Sequence, residues 1–387
     1  MPRALRTGDD PFVRFGTISS FALCVSLAFG CGDDDGTTDP DAAVGDDAGT
    51  TDDAGPMACM PVPAAERPEA PAGCMAAADD YAPCEDDAWP ECVSDGNEYV
   101  RIQDSISTIA RVRGFEEIAE LLFDPTSDPS SDDFLMARGI YQEEEGLDSR
   151  VVRRYDPHFE VPEGTDCTLE GSPEMFPDYC VGPSTLQPIL LDAFMRGIDE
   201  EAPARIQAAR IEGALLWFLY ASTYKEAFSC TTTAKDCDSA YAYYAGGEEA
   251  RGGIGLARYV REVAPYAHDR AWDGIFAVRC WRDLDDADTA TMLDLRDRAR
   301  AQHDRAVLTG VARIVAERLR EVGRTSGDEQ LYHWAFVQVL GQALDRGYTE
   351  RDGDGAAALR DALSNEDPSG VDPGALADAI DATFDCA

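Results

Sequence analysis

Residues 214–221 read Ala-Leu-Leu-Trp-Phe-Leu-Tyr-Ala, with helix-forming residues on both sides and no turn residue inside the run. A helix that is apolar on every face persists in water only when other helices enclose it. The run therefore predicts an interior helix over 202–228 and demands a shell of amphipathic helices to cover it. That shell is legible in the spacing of apolar residues. Tyr99, Ile102, Ile106 and Ile109 recur at three- and four-residue steps, and Phe115, Ile118, Leu121 and Leu122 extend the pattern, which predicts helix from Glu98 onward. Further helices are expected over 132–143, 185–199, 249–263, 265–281, 289–322, 328–346, 356–364 and 373–384. No alternating strand pattern of comparable length occurs. The expected fold class is all-α, a multi-helix bundle.

Charge narrows the partners. The 387 residues carry a formal charge of −42, which repels nucleic acid phosphates and anionic headgroups alike, so no nucleic acid partner is expected. Lys225 and Lys235 are the only lysines, which leaves almost no candidates for Schiff-base chemistry.

The N-terminus reads as an export signal. Arg3, Arg6 and Arg14 precede an apolar stretch over 17–29 that is too short to span a bilayer. It ends in Leu27-Ala28-Phe29-Gly30-Cys31, which resembles the lipobox of bacterial lipoproteins. The resemblance implies lipidation of Cys31 as the new N-terminus, a membrane partner reached through that lipid, and residence at the outer membrane or cell surface. Ala28 and Gly30 also fit ordinary secretory cleavage, which would give a periplasmic or secreted protein. Residues 31–55, rich in Asp, Gly and Thr, hold too little apolar surface to fold and are expected to be a disordered acidic tether.

Cysteine arithmetic agrees with export. Of twelve cysteines, Cys24 falls in the signal (1–30) and Cys31 carries lipid, which leaves an even set for disulfides in an oxidising compartment. Cys59, Cys74, Cys84 and Cys92 lie in a loop-rich segment, 56–97, expected to be stapled by two bridges ahead of a helical domain over 98–387. Cys167 and Cys180 flank a Pro- and Gly-containing loop, and Cys230 and Cys237 would close a hairpin after the central helix. By elimination Cys280 is left to Cys386.

Several constellations carry possible chemistry. Glu350, Asp352, Asp354 and Asp361, with Gly355, match positions 1, 3, 5, 12 and 6 of a calcium loop and resemble an EF-hand or dockerin-type site. In a chain this acidic the match is expected to be a structural turn, with no cofactor, and calcium at this loop is the alternative. The helix Arg210-Ile211-Glu212-Gly213-Ala214-Leu215-Leu216-Trp217 is faintly similar to the Ile-Glu-x-Leu-Leu-Trp helix of imelysin-like proteins, exported helical lipoproteins associated with iron uptake. Ala209 stands where that family has its histidine. His268-Asp269-Arg270-Ala271 is echoed by His303-Asp304-Arg305-Ala306, and Glu329 and His333 share a helix face, but no zinc or di-iron motif is complete. GxSxG, P-loop and GxGxxG signatures are absent. An aromatic-rich middle is expected from its helical spacing to pack as core, the alternative being a surface for a sugar or an apolar ligand with Tyr241, Tyr243 and Tyr244 as the members nearest to exposure. The expected function is a non-catalytic binding or interaction module of the bacterial envelope, with an unidentified protein or small-molecule ligand. A metal-dependent protein is the alternative.

Overall fold

The computed structural model describes residues 67–84, 89–143, 146–200, 203–248, 250–283 and 292–386. The signal segment, Cys31, the acidic tether and Cys59 lie outside the described residues. Within them the regular structure is helical throughout, with no strand. In chain order the helices are α1 (Thr108–Leu122), α2 (Ser131–Tyr141), α3 (Leu147–Val151), α4 (Ser172–Met175) and α5 (Gln187–Ile198). There follow α6 (Ala204–Ser229), α7 (Lys235–Ala245), α8 (Leu256–Val263), α9 (Pro265–Asp283) and α10 (Leu293–Arg324). The chain closes with α11 (Asp328–Leu340), α12 (Asp345–Arg351), α13 (Gly353–Leu363) and α14 (Pro373–Thr383).

Helix α6 is the interior helix that the apolar run demanded. It packs against α5, α7, α10 and α11, and α10 in turn packs against α8, α9 and α14. Gly213 allows the close approach of α6 and α11: a Cβ there would lie 3.0 Å from the Phe336 carbonyl oxygen and 3.1 Å from Val339 Cβ. Gly213→Val is therefore expected to destabilise the protein by about 1–3 kcal/mol through overpacking. An equilibrium urea titration checks this, and an unchanged midpoint would show that the two helices separate without cost.

Two local expectations are corrected. Helix does not begin at Glu98, because the buried Asp238 carboxylate accepts from the backbone amides of Ile102 (3.0 Å) and Gln103 (2.8 Å) and from the Tyr99 hydroxyl (3.0 Å). A carboxylate that captures consecutive amides holds the chain in a non-helical path until Thr108. The acceptor belongs to α7, where a disulfide hairpin was expected, with the tyrosines after it nearest to exposure. Cys230 and Cys237 are bonded as expected, but residues 235–245 form a helix with Tyr241, Tyr243 and Tyr244 all fully buried. Tyr241 stacks on Tyr99 with ring centroids 4.0 Å apart.

Disulfide pairing differs from expectation at both ends. Cys167–Cys180 forms, whereas Cys280 and Cys386 do not pair with each other. Cys74 bonds to Cys386 and Cys92 to Cys280, so these two cysteines of the loop-rich segment sew it onto the bundle. Cys84 is also disulfide-bonded. The cause is a stripe on one face of α10. Arg298 pairs with Asp79 (3.3 Å), Gln302 exchanges hydrogen bonds with the backbone of Tyr81 (2.8 and 2.7 Å), and Arg305 pairs with Asp80 (2.6 Å). Their spacing of four and three residues matches the helix repeat. It lays the segment along α10, with Cys74 at the C-terminal end of the chain and Cys92 beside α9. These residues and the helices fall in one compact unit, Ala54–Ala387.

The two His-Asp-Arg-Ala tetrapeptides do equivalent work on neighbouring helices. His268 Nδ1 meets the Tyr244 hydroxyl (3.1 Å) and His303 Nε2 meets the Thr223 hydroxyl (3.0 Å). Arg270 donates to the Cys74 carbonyl (3.1 Å), as Arg305 does to Asp80. Burial pushes both histidines down to about 4, so both are neutral at pH 7.

Candidate functional site

The acids that match a calcium loop do not form a tight grouping of ligand atoms among the described residues. Glu350 ends α12, where it pairs with Arg346 (3.0 Å). Asp352 caps α13 by accepting from the Gly355 amide (3.1 Å), and Asp354 lies in the first turn of that helix. Asp361 sits on α13 itself, about 10 Å beyond Asp354 at 1.5 Å per residue. The expected twelve-residue loop is thus a helix-to-helix junction turning at Asp352, because the Asp352 cap starts a helix where an EF-hand would keep an open loop. Among the described residues one grouping of ligand-type side chains is tight enough for an ion, Cys74, Asp385 and Cys386. Its two sulfurs are bonded to each other, which removes both thiolates.

Glu212, on α6, is fully buried and accepts three side-chain hydrogen bonds. Arg318 (2.6 Å) and the Tyr259 hydroxyl (2.8 Å) donate to one carboxylate oxygen and the Tyr332 hydroxyl donates to the other. Arg318 also reaches His333 Nδ1 (3.2 Å). Burial and this guanidinium together hold His333 near 4. The group fastens α6, α8, α10 and α11 together and presents no open coordination position.

The cleft lies on the other side of α6. Within the run 214–221 every residue is buried except Trp217, and Trp217 opens onto a cavity of about 420 Å³. One wall is the segment between α3 and α5, including Asp156, Phe159 and Val181. The opposite wall is built by the 3-10 turn Gly341–Leu344 with α12 and α13, including Arg346, Tyr348 and Leu359.

Local sequence explains how the first wall is held. Cys167–Cys180 ties the loop to the start of α5. That helix is preceded by a π-helical turn, Gly182–Leu186, of a kind common at functional sites. A Cβ on Gly182 would collide with the Val151 carbonyl, so glycine is required for the turn to rest on this backbone. The Gly182 amide then donates to the Arg154 carbonyl (2.9 Å), and the Asp156 amide to the Tyr179 carbonyl (2.7 Å).

Behind the cleft lies an ion chain. Asp156 faces the cavity and binds His158 Nδ1 (2.6 Å), His158 Nε2 binds Asp304 (3.1 Å), and Asp304 binds Arg346 (3.2 Å), which returns to the cavity. His158 stacks on Tyr224 with centroids 3.6 Å apart. Burial alone would lower its pKa, but bonds to Asp156 and Asp304 outweigh burial and raise it to about 9. Burial would likewise raise Asp304, yet His158 and Arg346 bring it down to about 2. His158 is therefore a cation at pH 7, which fits it to position Asp156 and not to accept a proton from a substrate.

Sequence reading singled out neither His158 nor Arg346. The signals were faint: an Asp-Pro-His turn and the aspartate of the second His-Asp-Arg-Ala copy. No known protein family, characterised protein or solved structure is similar to this chain.

Proposed function

We propose that this protein is an exported, lipid-anchored binding module of the bacterial envelope that holds a small ligand in the cleft beside Trp217. One observation carries the reading. The wall bearing Asp156 and His158 is fastened by Cys167–Cys180, so the binding face depends on a compartment where disulfides persist. The export signal and the lipobox-like Leu27-Ala28-Phe29-Gly30-Cys31 supply the route to that compartment and a tether to the membrane. A pocket of this size, with apolar and fixed polar groups in similar measure, suits recognition of a small molecule. The ion chain behind it is fully paired, which favours holding a ligand over transforming it. The reading assigns no metal.

The test is expression of the full chain, with its own leader, in a bacterium that has an outer membrane. Mass spectrometry of the mature N-terminus is expected to find diacylglyceryl on Cys31, and Cys31→Ala is expected to move the protein out of the membrane fraction. A full-length, reduced cytoplasmic product would overturn the reading.

A further inference from the structure

The lining of the cleft is unusual in how its polar groups are committed. Gln338 donates its amide hydrogens to the carbonyls of Leu363 (3.2 Å) and Asn365 (2.8 Å), and Gln342 donates to the Gln338 carbonyl (2.7 Å). Each side-chain oxygen is thereby left as an acceptor. Guanidinium groups supply donors of matching planarity: Arg346 engages Asp304 and Glu350, and Arg360 engages Asp345 through Nη1. Planar acceptors and donors thus share the lining with the indole of Trp217, and charged side chains of both signs are among them.

Each ligand class meets this lining differently. A charged ligand of either sign meets like charge as well as opposite charge, an anion at Asp156, Asp178 and Asp345 and a cation at Arg346 and Arg360. A wholly apolar ligand would strip water from the carboxamide and carboxylate oxygens without replacing their hydrogen bonds, at a cost of about 1–3 kcal/mol for each. A neutral ligand with many hydroxyls satisfies donors and acceptors together. If it also has a C–H face, that face lies on the electron-rich face of an indole. A saccharide ring combines these properties, and the cavity of about 420 Å³ has room for a short one. We infer that the cleft binds a short neutral saccharide, stacked on Trp217 and hydrogen-bonded by Gln338, Gln342 and Asp156. Trp217 is well placed for this role because it sits on the most enclosed helix of the bundle, so its indole is pre-organised.

This inference rests on the binding-module reading and deepens it. It is tested on the mature, oxidised full chain by calorimetry and tryptophan fluorescence. The probes are glucose, galactose, N-acetylglucosamine, maltose, cellobiose and chitobiose, with spermidine and citrate as charged counterparts. At least one saccharide is expected to bind with Kd below about 1 mM. Trp217→Leu and the solvent-exposed Gln342→Ala are each expected to weaken it by about tenfold or more. Gln342→Ala keeps the test informative if the core substitution perturbs folding. Absence of saccharide binding would overturn the inference, as would saccharide binding that neither variant alters. Binding of spermidine or citrate alone would remove the saccharide and retain a binding module, whereas a failure of export or lipidation is read independently from the N-terminal mass.

Discussion

Replacing Cys74 and Cys386 together by serine is expected to lower the unfolding free energy of the oxidised protein by as much as about 5 kcal/mol, the largest stability change of any pair substitution proposed. The bridge joins residues 312 apart in sequence. In the chain-entropy description a crosslink stabilises by restricting the unfolded chain, and a loop of a hundred residues already corresponds to about 4.7 kcal/mol. Cys92–Cys280, with a separation of 188, shortens the effective loop when it is intact, so the two effects are not additive. Loss of both bridges would leave residues 67–97 attached through the stripe on α10 and through Arg67 and Arg251, which bracket Asp269 and Asp273. The C-terminus would retain the Arg313–Asp381 ion pair (2.6 Å) and the bond from Thr309 to the Cys386 backbone carbonyl (3.1 Å). Urea titrations of wild type and double variant measure the difference. A loss below about 1 kcal/mol would show that these non-covalent contacts already fix both segments, leaving the crosslink little to restrict. Cys167→Ser with Cys180→Ser removes a bridge that closes only a short loop, with a separation of 13. Its expected effect on stability is smaller, and its main effect falls on the cleft.

What was legible in the sequence was whatever local periodicity determines. The apolar run 214–221 announced α6 because no other environment suits it, and the shell helices followed from their stripes. Helix α7 escaped because Asp236, Asp238 and Ser239 break the apolar pattern, although Asp238 is a buried acceptor for a distant segment. The same contact overrode the helical spacing of Tyr99, Ile102 and Ile106. Tertiary hydrogen bonds outweigh a propensity of a few tenths of a kcal/mol per residue. Disulfide partners were legible only for neighbours in sequence. Cys74–Cys386 and Cys92–Cys280 depend on where the α10 stripe lays the loop segment, which no spacing rule contains.

The site was less legible than the fold. Its residues come from the α3–α5 connection, α6, α10, α11, the turn Gly341–Leu344, α12 and α13, and none forms a motif with its sequence neighbours. The acidic match at 350–361 was local and therefore visible, but the Asp352 cap converts it into the start of a helix. The tyrosine cluster was visible for the same reason, yet Tyr241, Tyr243 and Tyr244 turn inward and Trp217, read as core, is the aromatic residue that opens to the cavity.

Asp304→Asn is expected to destabilise the protein by about 3–5 kcal/mol near pH 7, because removing one member of a buried ion chain leaves the charges of His158 and Arg346 poorly compensated. The more diagnostic effect is on pH dependence. His158 has its pKa raised in the folded protein from 6.5 to about 9. Its contribution is therefore fully present below pH 6.5 and is lost as pH rises from 6.5 to 9, a decline of about 3 kcal/mol at 1.36 kcal/mol per unit. His268, His303 and His333 act in the opposite sense. Their pKa values fall to about 4 on folding, so their contribution is present above 6.5 and lost as pH falls from 6.5 to 4. Asp236, raised to about 6 by burial, favours folding below its unfolded value of 3.8 and loses that contribution by pH 6. The interval from 6.5 to 9 therefore belongs to His158 among these groups, and wild-type stability is expected to decline across it. In Asp304→Asn, and in His158→Gln, that alkaline decline is expected to flatten while the acid limb set by the three neutral histidines persists. Unfolding free energies at pH 4.5, 6, 7.5 and 9 measure both limbs. A wild-type curve that stays level from 6.5 to 9, or a decline of equal slope in both variants, would show that His158 is not held as a cation between Asp156 and Asp304. The ordering of Asp156 at the cleft would then need another cause.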